Sequence, residues 1–132
     1  EETDRDELAE PLYRNVLATR LEVLGPTRPE TLSGANNLGM LLQRTGRLEE
    51  AAEYLSNAAR GSAEVLGEDH FYTAIFENNY GDCLTDLGRY DEAIELITRS
   101  GAVLAATLGE DHERSTRSRA RLARAEAGRS AQ

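Results

Sequence analysis

Cysteine occurs once in this chain, at Cys83, and lysine does not occur at all. A single cysteine excludes an internal disulfide and a metal site built from several thiolates, and its helical setting points to a small buried residue. Apolar runs are short: none approaches the roughly 20 residues that a bilayer span needs. The acidic start Glu1-Glu2-Thr3-Asp4 lacks the basic and then apolar character of a signal peptide. The sequence therefore reads as cytoplasmic, with no membrane partner. Histidine is also scarce. His70 and His112 each sit in a Glu-Asp-His junction, so they read as helix-start residues, and no metal or cofactor is expected.

Charge is plentiful. Charged residues make up 30% and hydrophobic residues 39% of 132 residues, the balance of one folded domain. The net charge of −9 is unevenly spread: residues 1–112 carry 22 acids against nine arginines, and residues 113–132 carry six arginines against two acids. An acidic body repels phosphates, so nucleic acid is not an expected partner. All fifteen basic residues are arginine, which fits a GC-rich genome.

The organising feature is a period of 42 residues. Leu24-Gly25, Leu66-Gly67 and Leu108-Gly109 are equally spaced, and the run Gly46 to Ala51 is echoed by Gly88 to Ala93. A fixed period of this size marks a stacked array, whose function lies on an extended surface.

Within one period, Leu32, Ala35, Leu38, Leu41 and Leu42 form one stripe of a helix over 29–45. Thr27 is its expected N-cap, with Glu30 completing a capping box and Pro29 in the first turn. A second helix over 48–66 runs through Leu48, Ala51, Ala52, Leu55, Ala58, Ala59, Val65 and Leu66. Gly67 is expected to stop it in the left-handed conformation. The link around Gly46 is too short for anything but an antiparallel hairpin. The next unit repeats the plan, with helices 71–87 and 90–108 and Asp69 as N-cap. Residues 5–24 form a second-type helix, and Asp111 caps a last first-type helix over about 113–127. The expected organisation is a single domain over 1–132: a half repeat 5–25, full repeats 26–67 and 68–109, and a terminal half repeat 110–128. The chain begins and ends in mid-repeat, as a piece cut from a longer array would.

Gly39, Gly46, Ala51, Leu55 and Ala58, with Gly81, Gly88, Ala93, Ile97 and Ser100, resemble the small and large positions of the tetratricopeptide repeat. The longer unit, the Leu24 to Pro29 and Leu66 to His70 junctions and the Asn-Asn pairs 36–37 and 78–79 look like the kinesin light chain type, and a bacterial member is expected. The resemblance weakens after residue 112, where Ala120-Arg121 stands in place of Asn-Asn. It implies an all-α fold, a right-handed α-solenoid of about six helices in antiparallel hairpins. It also implies a non-catalytic scaffold that binds a peptide or protein surface in the concave groove lined by the first helices.

Carried onto this chain, the implied contacts are Ser33, Asn36, Asn37, Met40, Gln43 and Arg44, then Ile75, Asn78, Asn79, Asp82, Thr85 and Asp86, then Arg117, Arg121 and Arg124. A ladder of Asn37 and Asn79 could hold a peptide backbone, since a carboxamide both donates and accepts. The alternative is that these asparagines bond between repeats or to the preceding turn. Likewise, the three arginines suit a carboxylate-rich segment, or they form a solvated face, or they neutralise Asp82 and Asp86. Most aromatics, Tyr13, Phe71, Phe76, Tyr80 and Tyr90 among them, read as core, with Tyr54 and Tyr72 less clearly placed. Glu49-Glu50 and Asp91-Glu92 favour the positive start of the second helices. No nucleophile or phosphate-loop constellation can be assembled, so no enzyme is expected. A different reading makes the array the sensor or autoinhibitory segment of a multidomain signalling enzyme, a nucleotide-dependent regulator, kinase or protease. The exposed array ends also suit self-association.

Overall fold

The structure, a computed structural model, describes residues 2–132, with side chains described from residue 4 onward. Six helices follow one another: α1 (Glu2–Leu24), α2 (Pro29–Arg44), α3 (Leu48–Leu66), α4 (Phe71–Asp86), α5 (Tyr90–Leu108) and α6 (Glu113–Ser130). Each packs on the next in sequence, and the fold is an all-α, right-handed solenoid of helical hairpins. The backbones of successive first-type helices, α2 with α4 and α4 with α6, also approach closely, whereas those of α1, α3 and α5 do not, and α1 meets α3 only through side chains such as Arg14 and Glu50. First-type helices therefore form the tight inner layer and second-type helices the splayed outer one, which curves the array around a concave inner face.

The hairpins close on small residues. A Cβ added to Gly39 would lie 2.6 Å from Leu55 Cγ, and one added to Gly81 would lie 2.6 Å from Ile97 Cγ1. Glycine at these two equivalent positions lets the facing leucine and isoleucine lie against backbone. Leu38, Leu41, Leu42, Leu55 and Ile97 are fully buried, and each such side chain contributes roughly 1.5–3 kcal/mol of burial. Cys83 is buried too, and desolvation, with Asp86, Asp82 and Glu49 nearby, pushes its thiol up to about 11. The acidic pairs do sit in the first turns of α3 and α5.

Helix starts differ from the sequence reading by one residue. The N-cap of α2 is Arg28, which makes no side-chain cap bond, and Pro29 is the first helical residue. In α4 and α6 the caps are His70 and His112, whose Nδ1 accepts from the backbone N–H of Tyr72 and Arg114, each at 3.0 Å. An imidazole nitrogen reaches the second helical N–H as an aspartate oxygen would, so Asp69 and Asp111 are displaced from the role. Thr73 and Ser115 add hydroxyl bonds to the carbonyls of Gly67 and Gly109 at 2.8 and 2.7 Å. Gly67 itself has φ +99° and ψ 157°, an extended mirror-side conformation open essentially only to glycine, in place of the expected left-handed helical one.

Other expectations also need correction. α1 runs from Glu2, with Pro11 inside it. Val65, assigned to the apolar face of α3, is 49% exposed, and Tyr13, assigned to the core, is 37% exposed. Both lie on second-type helices, where the face turned away from the array meets solvent.

Candidate peptide-binding groove

Side chains three and four apart on a helix share a face. On α2 the stripe Glu30, Ser33, Asn37, Met40 and Arg44 therefore looks in one direction. Its equivalents 42 residues on are Tyr72, Ile75, Asn79, Asp82 and Asp86, and then Arg114, Arg117, Arg121 and Arg124. The fold sets these three stripes side by side along the concave face.

At the start of the first-type helices the stripes enclose a cleft of about 620 Å³. Ser33, Asn36, Asn37, Met40, Ile75, Asn79 and Arg117 line it as the sequence suggested, joined by Arg20, Pro29, Glu30, Tyr72, Phe76 and Arg114, which that reading missed. The missed positions carried a signal: 30, 72 and 114 are the same stripe one turn earlier. Tyr72 is 47% exposed and stacks on Phe76 with ring centroids 6.3 Å apart, forming an aromatic wall. Arg20 donates to the Glu30 carbonyl at 2.7 Å, and Arg117 bonds Glu113 at 2.7 Å. The Arg114 guanidinium and the Asn37 carboxamide have no hydrogen-bond partner among the described residues, and both are exposed.

Asn36, Asn78 and Asn79 are buried and bond between elements. Asn79 Nδ2 donates to Asn36 Oδ1 at 3.1 Å and lies 3.5 Å from the Met40 sulfur, which Asn36 Nδ2 also approaches at 3.5 Å. Asn78 Nδ2 donates to Ser100 Oγ at 3.0 Å and Ser118 Oγ at 2.8 Å. Arg121 Nη1 donates to the Oδ1 atoms of Asn78 and Asn79 at 3.0 and 2.9 Å.

Toward the helix ends the groove is laced together. Gln43 Nε2 donates to Asp82 Oδ2 at 3.1 Å and Asp86 Oδ2 at 2.8 Å, and Arg124 reaches the other oxygens of the same two carboxylates at 2.6 and 2.8 Å. Burial disfavours the Arg124 charge, but Asp82 and Asp86 outweigh it and raise its pKa. Arg44 is taken by Asp6 at 3.3 Å. Thr85 points inward, buried, donating to the Gly81 carbonyl at 3.2 Å. A smaller recess of about 310 Å³ remains between Met40, Gln43, Arg44, Asn79, Asp82, Asp86 and Arg121. Among the described residues no three histidine, cysteine or carboxylate side chains gather as a metal site, and no helix is long and apolar enough to cross a membrane.

The two halves of the groove thus differ in kind: one holds the larger cleft, with unsatisfied cationic and amide groups beside an aromatic wall, and in the other the charged and amide groups are paired with one another around a smaller recess.

Comparison with known proteins accords with this architecture. A crystal structure of a Podosopora anserina protein, described as a kinesin light chain with nearly identical TPR-like repeats, superposes with a TM-score of 0.89 at 25% identity, covering 98% of this chain and 61% of that one. BtubC (BKLC) from P. vanneervenii superposes with a TM-score of 0.68 at 20% identity, covering 97% of this chain and 58% of its own. This chain thus spans about three fifths of the length of the solved structures it matches. Comparison with curated protein sequences gives no match. The tetratricopeptide repeat model matches residues 1–58, 30–100 and 72–132. The repeats are of the kinesin light chain-like kind, and the chain belongs to the tetratricopeptide repeat family.

Proposed function

We propose that the concave groove binds an extended peptide segment of a protein partner, and that it does so at its open half. Tetratricopeptide arrays generally serve as protein-interaction scaffolds, so the finer question is where on the surface and what chemistry. The observation that carries the reading is the cleft of about 620 Å³. It falls within the usual size range of ligand sites, and it combines an apolar wall with a few convergent polar groups. Asn37 and Ser33 can meet backbone amides, Tyr72, Ile75 and Met40 can pack an apolar side chain, and Arg114 can take a carboxylate. Three arginines against one glutamate line the cleft, so the segment preferred is an acidic one. Arg121 and Arg124 support that preference mainly through the local field, since Arg121 Nη1 already serves Asn78 and Asn79 and both terminal nitrogens of Arg124 serve Asp82 and Asp86.

The test is affinity capture of partners with the wild-type array, repeated with Tyr72→Ala and Arg114→Ala together. Both side chains are exposed, so folding should be untouched. The reading requires that a specific partner be lost; a partner retained at full strength would move the site elsewhere.

Self-association, where it occurs, uses α1. Its outer face bears Leu8, Leu12, Val16 and Val23, all exposed. On α6 the residues equivalent to Leu32, Ala35, Gly39 and Leu42 are Thr116, Arg119, Ala123 and Glu126, also exposed but mostly polar.

A further inference from the structure

Positions 37, 79 and 121 are equivalent in the three first-type helices, and they read Asn, Asn, Arg. Arg121 sits on the groove floor with its side chain 17% exposed. Its Nη1 is shared between Asn78 Oδ1 and Asn79 Oδ1, at 3.0 and 2.9 Å. The amide nitrogens of those residues are spent elsewhere, that of Asn78 on Ser100 and Ser118 and that of Asn79 on Asn36 and the Met40 sulfur. Each polar atom of both carboxamides is thereby engaged inside the protein. Of the asparagines on the groove, only Asn37 presents a carboxamide without a partner among the described residues.

The arrangement is costly for the arginine. Its nearest carboxylate oxygen, Asp82 Oδ1, lies 3.8 Å from Nε, while Arg124 holds that same oxygen at 2.6 Å. Burial lowers the Arg121 pKa, Asp82 opposes the shift, and Arg117, Arg124 and Arg114 add to it. A buried cation without a tight counter-ion is poor evidence of stabilisation.

We infer, resting on the groove reading above, that Arg121 is a specificity-determining residue: it occupies the asparagine ladder in place of ligand and confines the bound segment to the cleft around Asn37, Tyr72 and Arg114. Replacing it with asparagine restores the residue of the earlier units. An asparagine at 121 would reach Asn78 as Asn79 reaches Asn36, over the same interval of 43 residues. Asn79 Oδ1 would then lose its donor and stand open to a backbone N–H of the ligand, extending the register by one unit.

The experiment selects nonapeptides from a random displayed library separately on wild type and on Arg121→Asn, then titrates the best synthetic binder of each by fluorescence polarisation. Arg121→Gln, closer to arginine in length, serves as a second variant should the asparagine variant fail to fold. The wild-type binder should weaken about tenfold, the loss of one good hydrogen bond, with Asn37→Ala, and less than about threefold with Asn79→Ala. The binder selected on the Arg121 variant should weaken about tenfold when Asn79→Ala is added. A wild-type binder that loses tenfold on Asn79→Ala, with the variant still folded by circular dichroism, overturns the register proposal alone. So does indifference to Asn79 in both Arg121 variants. An empty selection, or binders that ignore both Asn37 and Tyr72, overturns the groove reading and this proposal with it.

Discussion

The carboxamide nitrogen of Asn79 lies 3.1 Å from the carboxamide oxygen of Asn36, two buried side chains joined across consecutive first-type helices. The same interval of 43 residues separates Arg121 from its acceptor Asn78, and Gln43 spans it in the other direction to donate to Asp86. Polar bonds therefore fix the spacing of the inner helices, and the asparagines serve first as fasteners between units.

Asn79→Ala accordingly leaves the Asn36 oxygen without its donor and takes one acceptor from Arg121. Unsatisfied buried groups of this kind cost about 1–3 kcal/mol, whereas Asn37→Ala, at an exposed site without a partner, should stay within about 0.5 kcal/mol of wild type. Urea unfolding of the two variants measures the difference. Equal destabilisation would refute the fastener role.

Gly81→Ala should cost about 1–3 kcal/mol, because its Cβ would meet Ile97 Cγ1 at 2.6 Å in a packed interior. Ile97→Ala, which removes both Cγ1 and Cδ1, should cost less in the Gly81→Ala background than in wild type. Thermal melting of the single and double variants decides it, and losses that simply add would show that the two residues do not compete for volume.

Glu77 gives a pH-dependent signature. It is buried against Arg99, and its Oε1 has no hydrogen-bond partner. Desolvation raises its pKa, with Arg99 opposing and Glu68 adding to the rise. A carboxyl whose folded pKa lies above its unfolded value holds its proton more tightly when folded, so its contribution to stability falls as pH rises through that window. Glu77→Gln should therefore be more stable than wild type at pH 7. The gap should close as the pH is lowered to the unfolded carboxyl value near 4.5. Unfolding curves across that range check the sign; a gap that widens toward acid contradicts it.

Glu10 and Glu50 act in the opposite sense. Glu10 is held below the usual carboxylate range by Arg47 and Arg14, and Glu50 by Arg14 and then Arg47. Their contribution is present above the unfolded carboxyl value and is lost as pH falls below it. Since Glu10 lies on α1 and Glu50 on α3, acid should loosen α1 first. Hydrogen exchange at pH 3 and pH 7 would show protection lost in residues 8–22 ahead of 92–106; uniform loss would argue otherwise.

Leu12→Glu with Val16→Glu places charge on the open face of α1 and should abolish any concentration-dependent association seen by sedimentation, with little change in melting. Charge reversal at Arg119 on α6 should leave association unchanged.

Much of this fold was legible in advance because the period and the apolar stripes are local properties of the chain. The bounds of α3 and α5 follow from their stripes and from the glycines on either side. The caps were less legible, since His70 imitates an aspartate cap and only its ring position reveals that. The groove stripe was readable from Ser33 onward, and the same spacing extended one turn earlier would have reached Glu30, Tyr72 and Arg114. What spacing could not decide was the direction of the asparagines. A carboxamide can face a ligand or a neighbouring helix, and the choice depends on the distance between inner helices, a tertiary quantity.

The central claim is that ligand is held at the open half of the concave face. Its most direct test is a titration of the ¹⁵N-labelled chain with the nonapeptide selected on wild type, followed by amide chemical shifts. Ligand in the open half would shift residues 29–40, 71–79 and 113–118, with α3 and α5 almost still. Changes centred on the outer helices, or on the laced region around Asp82, Asp86 and Arg124, would contradict it.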